Sequence, residues 1–244
     1  MDPLLALIAG LSGYLIGSIS FARIVARLVA PGTDVTKYVE PIPDSDLFYE
    51  DDAASATLVN LNLGARYGCL TSILDMLKVL LPMLALRYWS PETRYDLIFA
   101  ALALVGHDWP LYHRFHGGRG ESVIYGCMLV IDPLGAIVCN VLAIVLGVAI
   151  GQVHLVRWGG MVLLIPWLWF RTGDPAMLAY ILFANAVFWI SMRKDVRQYY
   201  EFHKKGVFRN QEELSDFLDM SSGLGRFMDR YSLPALLKRW SHQP

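Results

Sequence analysis

His116-Gly117-Gly118-Arg119-Gly120 leads directly into an apolar run that begins at Ser122. Glycines let successive backbone N–H groups turn toward one point, which makes a concavity for an anion. A helix starting there adds the positive end of its dipole, and Arg119 adds a planar fork of donors matched to phosphate. The spacing points to a phosphate site, with a flexible turn between two helices as the plain alternative. Glu121 counts against the site, because a carboxylate there competes for the same N–H groups. His107, followed by Asp108-Trp109-Pro110, lies late in another apolar run. A histidine so placed is a functional candidate or a hydrogen-bond partner of a neighbouring helix. Asp75 and Lys78 stand three apart in a third run, where one helix face would let them neutralise each other as a buried structural pair. Gly17-Ser18-Ile19-Ser20-Phe21 offers small residues for close helix packing and hydroxyls for a polar cavity. The chain has no G-x-S-x-G elbow, so nucleophilic serine catalysis is not supported. His113 and His116 lie near His107 without completing a metal-binding set. Cys69, Cys127 and Cys139 sit in apolar runs and read as small hydrophobes, so neither metal nor cofactor is expected.

These residues are strung along a chain built for a bilayer. Of its 244 residues 55% are hydrophobic and 18% charged, against about a quarter charged in soluble domains, and the mean hydropathy is +0.40. The net charge of −1 argues against nucleic acid as a partner. About 20 apolar residues in a helix cross the hydrocarbon layer. Leu4–Ala30, Gly68–Arg87, Tyr95–His113, Leu155–Arg171 and Pro175–Met192 each qualify or come close. The first lacks a basic leader and is too long for a signal peptide, so it reads as a retained span. Asp132-Pro133 divides Ser122–Gly151 into a short piece ending at Ile131 and a longer one from Leu134. The expectation is an all-α polytopic membrane bundle of about seven transmembrane helices. Arginine and lysine sort with the N-terminus outside and the C-terminus in the cytoplasm, in an inner or plasma membrane. Residues 1–205 would form the membrane domain, with 31–66 as an acidic cytoplasmic loop that is functional or disordered. Residues 206–244 would form a cytoplasmic amphipathic helical tail. Asn210 and Glu213 suggest a capping box there, followed by an apolar stripe of Leu214, Phe217 and Leu218. Leu233–Trp240 suggests a helix on the membrane surface or packed on the spans.

In this order the motifs resemble the bacterial acyl-phosphate:glycerol-3-phosphate acyltransferases of the PlsY type. Gly17-Ser18-Ile19-Ser20-Phe21 is similar to that family's G-S-I-P-F-G. Leu63-Gly64, Gly68 and Leu74-Asp75-Met76-Leu77-Lys78 resemble its L-G-x-x-x-G…L-D-x-x-K. Gly106-His107-Asp108-Trp109-Pro110 and Phe115–Gly120 match its G-H-x-x-P…F-K-G-G-K-G. Met192-Arg193-Lys194-Asp195-Val196 falls where the family has H-R-E-N-I. The resemblance implies seven spans and a site at the cytoplasmic face. It implies transfer of an acyl group from acyl phosphate to glycerol 3-phosphate, giving lysophosphatidic acid in phospholipid biosynthesis without metal or covalent intermediate. His107, Arg119 and Arg193 would then be catalytic, with Gly117, Gly118, Gly120, His116, Ser18, Thr57 and Asp195 binding substrate or phosphate.

The chain also departs from the pattern. Where the family has G-S-G-N-x-G-A-T-N, this chain reads Glu50-Asp51-Asp52-Ala53-Ala54-Ser55-Ala56-Thr57-Leu58, keeping only Ala56 and Thr57 in place. An acidic loop suits a cationic or uncharged acceptor better than an anionic one. The alternative is a catalytically inactive family paralogue that serves as partner or regulator of another membrane protein.

Overall fold

The structure, a computed structural model, describes residues 1–42, 46–207 and 222–241. In chain order these form α1 (Pro3–Gly17), α2 (Phe21–Val29), β1 (Tyr38–Pro41), β2 (Phe48–Asp51), α3 (Ala56–Leu63), α4 (Ala65–Trp89), α5 (Tyr95–Asp108), α6 (Glu121–Ile131), α7 (Pro133–Ile150), α8 (Val153–Thr172), α9 (Pro175–Ser191) and α10 (Arg193–Lys204). Helices Ser222–Tyr231 and Leu233–Ser241 follow. The second covers the helix expected at Leu233–Trp240, while Asn210, Glu213, Leu214, Phe217 and Leu218 lie outside the described residues. Two compact units are present, one of residues 1–133 with 174–196 and the other of 134–173 with 197–244.

In the first unit α5 is the central element and packs against α1, α4, α6 and α9. Its buried face includes Phe99, Ala100, Ala103 and Leu104, together with polar Asp96, His107 and Asp108. The approach of α1 to α5 is set by glycines. Asp2 caps α1 by accepting the Leu4 N–H at 2.7 Å, and Pro3 opens the helix. Gly13 and Gly17, one turn apart, then face the α5 backbone. A methyl group on Gly13 would lie 3.0 Å from the Phe99 Cα, and one on Gly17 would lie 2.8 Å from the Ala103 Cα. A small-x-x-x-small stripe of this kind lets two membrane helices touch along their backbones.

The first apolar run is not one uninterrupted helix. It breaks at Ser18–Ser20, where the Ser18 N–H closes on the Tyr14 carbonyl at 2.9 Å and the Ile19 N–H on the Ile16 carbonyl at 3.1 Å. The break leaves the Ile19 carbonyl free to accept from Lys78 Nζ at 2.8 Å. The third run also stops early, at Asp108. Trp109 precedes Pro110 and leaves the helical region, and a 3₁₀ turn at Leu111–His113 follows. Asp132 ends α6 and Pro133 opens α7, as the Asp-Pro pair requires.

The acidic connection has structure of its own. β1 and β2 pair antiparallel, with Tyr38 opposite Asp51 and Pro41 opposite Phe48. Val35 and Ala54 pack with Ala22, Val25, Ala26 and Val59 in a small core that holds both ends of the loop on α2 and α3. In the second unit, Val153, Val156 and Met228 form a core flanked by Trp158, Tyr199 and Leu224.

Pro3–Val29, Ala65–Trp89, Pro133–Ile150 and Val153–Thr172 are long and apolar enough to cross a membrane; the bent pair Pro175–Ser191 and Arg193–Lys204 makes a fifth if it is one span. Leu4, Leu7 and Leu11 on α1 and Ile137, Val141 and Val145 on α7 are exposed, as surfaces solvated by lipid would be.

Gly13→Val should destabilise the protein by about 1–3 kcal/mol, because the branched side chain meets backbone rather than a yielding side chain. Gly10→Ala should stay within about 0.5 kcal/mol, since its nearest neighbours would be side-chain atoms at 3.5 and 3.7 Å. Thermal unfolding of the two variants in detergent measures the difference.

Candidate active site

The site rests on a buried polar chain. Lys78 on α4 donates to Asp75 Oδ1 at 2.7 Å and to the Ile19 carbonyl, and lies 2.9 Å from His107 Nδ1 on α5. An ammonium has three donors and no acceptor, so these contacts account for all of its hydrogens. His107 Nδ1 accepts, which places the ring proton on Nε2. The Asp75–Lys78 pair expected from spacing is present. The third partner, 29 residues away, is not visible in local sequence.

His107 carries the glycine turn. Its backbone carbonyl accepts the Gly118 N–H at 3.1 Å. Its ring lies so close beneath Gly118 that an added methyl would come within 3.0 Å of Cε1 and 3.1 Å of Cδ2. Gly120, at φ 76°, sits over the buried carboxylate of Asp108. Arg114 and Phe115 adopt left-handed backbone just before the turn, a conformation uncommon without glycine. The acidic loop is tied to the same place, with the Ala54 N–H donating to the Gly117 carbonyl at 2.9 Å. Arg23 Nη2 donates to the His116 carbonyl at 2.9 Å. Among the described residues, the N–H groups of Gly117, Arg119 and Gly120 have no protein acceptor. With the start of α6 beside them, they form a donor-rich concavity suited to an oxyanion.

The remaining candidates are distributed unevenly. Ser18 is buried; its hydroxyl donates to the Tyr14 carbonyl at 2.8 Å and accepts the Leu111 N–H at 3.2 Å. It therefore joins α1 to the turn after α5. Thr57 lies half-buried in the first turn of α3, which Ser55 caps by accepting the Leu58 N–H. His116 is exposed, with Nδ1 2.7 Å from the Arg114 carbonyl. Arg193 is exposed and makes no ion pair among the described residues, whereas its neighbour Lys194 pairs with Asp52.

Arg119 is the most heavily engaged residue of the group. Its Nε lies 2.8 Å from Asp195 Oδ2. Its Nη2 lies 3.2 Å from Asp195 Oδ1, 3.2 Å from Asp52 Oδ1 and 3.5 Å from Asp51 Oδ1. Burial pushes the Asp51 carboxyl up to about 6, and the negative charges of Asp195 and Asp52 add to the rise, against the Ala53 N–H and Arg119. Burial also raises Asp195, with Arg119 opposing. At Asp52, burial is outweighed by Lys194 and Arg119, which hold it below the usual carboxylate range. Burial alone would lower Arg119, but Asp195, Asp51 and Asp52 together raise it. Sequence reasoning found Arg119 and the acidic loop separately. Their pairing joins residues 67 to 76 positions apart. Among the described residues, no group of three or more His, Cys, Asp or Glu is placed to hold a metal ion.

The fold is that of an integral membrane helix bundle with a polar glycine turn. A family model described as Glycerol-3-phosphate acyltransferase matches residues 7–201. The chain belongs to that family. A glycerol-3-phosphate acyltransferase of Hydrogenobaculum sp. is 31% identical over 138 residues, 56% of this chain and 64% of that protein. One of Cupriavidus necator is 36% identical over 133 residues, 52% of this chain and 59% of that protein. The matched stretch thus spans under two thirds of either relative. One from Anaeromyxobacter sp. is 29% identical over 164 residues, 66% of this chain and 73% of that protein. Crystal structures of PlsY, an integral membrane glycerol 3-phosphate acyltransferase, in its glycerol 3-phosphate and lysophosphatidic acid forms, share the fold. Their TM-scores are 0.66 and 0.65 at 22% and 21% identity, each covering 80% of this chain and 92% of that one.

Asp51 provides a pH test of the cluster. A carboxyl raised in the folded state contributes stability below its unfolded value of 3.8 and loses it as pH rises through about 6. Asp51→Asn, which keeps an oxygen to accept the Ala53 N–H, should therefore unfold at a higher temperature than the parent at pH 8. The gain should shrink to nothing as pH falls toward 4, followed by scanning calorimetry in detergent.

Proposed function

We propose that this protein is a membrane acyltransferase of phospholipid biosynthesis, moving an acyl group from acyl phosphate to a hydroxyl of glycerol 3-phosphate to give lysophosphatidic acid. The carrying observation is the concavity at Gly117–Gly120, where three N–H groups lacking a protein acceptor meet the start of α6, above His107 and beside Arg119. Family membership supports the reaction class. Acyl transfer forms a bond from the acceptor oxygen to the acyl carbon and breaks the bond from that carbon to the phosphate oxygen. Inorganic phosphate leaves with the electron pair and takes up the proton that the hydroxyl gives. Holding two reactants in line can remove roughly 7–11 kcal/mol of barrier, so positioning carries most of the work in this scheme. The glycine turn receives phosphate and the His107 ring beneath Gly118 fixes its shape. Arg193, exposed at the start of α10, is free to meet a second phosphate. Thr57, His116 and Asp195 border the substrate region, and Ser18 holds the turn after α5 in place.

Seven crossings fit this reading, with α3, α10 and the hairpin outside the hydrocarbon layer. The N-terminus then lies outside and the site faces the cytoplasm, in an inner or plasma membrane. Residues 1–205 act as the membrane domain, and residues 206–244 as a cytoplasmic tail. The unpartnered N–H groups of the glycine turn weigh against the inactive-partner alternative, since a passive scaffold has no use for them.

Protein purified in detergent and given acyl phosphate with radiolabelled glycerol 3-phosphate should produce labelled lysophosphatidic acid. Gly118→Ala, which pushes a methyl into the His107 ring, should lower turnover by about 100-fold, and Arg119→Ala should abolish it. Absence of product from the parent protein with every acceptor tried would refute the assignment.

A further inference from the structure

We propose that Asp52 and Asp195 are the specificity-determining residues of this site, built-in rivals that hold the Arg119 guanidinium against substrate phosphate. The proposal rests on the acyltransferase reading and deepens it. A phosphate meets arginine best through two parallel N–H bonds from one edge of the guanidinium. Asp195 lies along that edge: its Oδ1 accepts from Nη2 at 3.2 Å, and its Oδ2 stands 2.8 Å from Nε as an ion-pair contact without a hydrogen bond. Asp52 adds a third oxygen to Nη2 at 3.2 Å.

The charge balance points the same way. Two cations, Arg119 and Lys194, face three carboxylates, Asp51, Asp52 and Asp195. At Arg119 itself an arriving phosphate dianion finds the positive charge already compensated, exposed Arg193 standing apart from the cluster, and must displace carboxylates whose own charge repels it. The three acids differ in how readily they can leave. Asp51 is buried and its Oδ1 also accepts the Ala53 N–H at 2.8 Å, so it belongs to the loop's own architecture. Asp52 is 42% exposed and has a second partner in exposed Lys194, so it can release Arg119 without being stranded. Asp195 lies in the first turn of α10. A site built this way gains discrimination by penalising one class of ligand. It favours acceptors whose polar group is uncharged or cationic, and admits a phosphomonoester dianion only by breaking the clamp.

The test compares the parent protein with Asp52→Asn, Asp195→Asn and the double variant. It measures kcat and KM for glycerol 3-phosphate with acyl phosphate, and glycerol 3-phosphate binding by calorimetry. Asp46→Asn, at an exposed position of the same loop, makes the same charge change away from Arg119. The double variant should lower KM and Kd about tenfold or more, the equivalent of removing one screened like-charge contact, with the change falling on KM rather than kcat. Asp52→Glu should restore the parent values in the Asp52 series, and Asp46→Asn should leave them unmoved. Unchanged or weaker binding in a double variant that keeps its parent unfolding temperature overturns the proposal. If that variant loses stability, tighter binding in Asp52→Asn alone supports it and unchanged binding there overturns it. If no protein turns over glycerol 3-phosphate, the acyltransferase reading fails by itself. Binding still decides the clamp, because tighter Kd upholds it and equal Kd overturns it.

Discussion

The Lys78 ammonium is the contact on which the first unit depends. It lies buried among α1, α4 and α5 and is satisfied by three acceptors, the Ile19 carbonyl, Asp75 and His107. A charge in such a place is costly unless its partners are fixed. Here the partners come from three separate stretches of chain, so satisfying the charge also sets where those stretches meet. The order then passes outward. His107, oriented by the ammonium, offers its carbonyl to Gly118 and its ring as a floor, and the glycine turn lies against both. The shape of the glycine turn thereby derives from a buried cation in the bundle.

Above that floor, geometry and charge pull in different directions. The backbone concavity at 117–120 suits an oxyanion, and the side chains around Arg119 do not. Three carboxylates draw on one guanidinium, and burial lifts two of them above the ordinary carboxylate range. On the proposed reading, electrostatic specificity in a site of this kind is separable from its scaffold. The backbone can be inherited while a few loop and helix-end residues redefine what the site will accept.

Much of the fold was legible in sequence because a bilayer imposes length on apolar runs. The runs at 68–87, 134–151 and 155–171 correspond closely to α4, α7 and α8. Asp132-Pro133 marked its turn because proline excludes helix from the residue before it. The break at Ser18–Ser20 was not legible, since Ile19 and Phe21 continue the apolar run and the lysine that meets the freed Ile19 carbonyl lies 59 positions away. The hairpin in the acidic loop could have been found from the aromatic and β-branched residues of Tyr38-Val39 and Phe48-Tyr49, which favour strand, but the density of acids points to an irregular connection. At the site, glycine spacing and the Asp75–Lys78 interval were local signals and were readable. The pairing of Arg119 with Asp51, Asp52 and Asp195 depends on long-range closure, and so does the part taken by Lys194, a residue that stood out less than its neighbour Arg193.

The gap between α1 and α2 limits how this chain could be redesigned. An engineer wishing to stiffen the first span would replace the two serines with good helix formers and let one rod run from Pro3 to Val29. In that rod the Ile19 carbonyl would be claimed by the amide four residues on, and the ammonium below would lose an acceptor. Regularity gained in one helix would become an unmet donor among three helices, with Asp75 still balancing the charge. Local ideality is thus a poor guide to improving this chain.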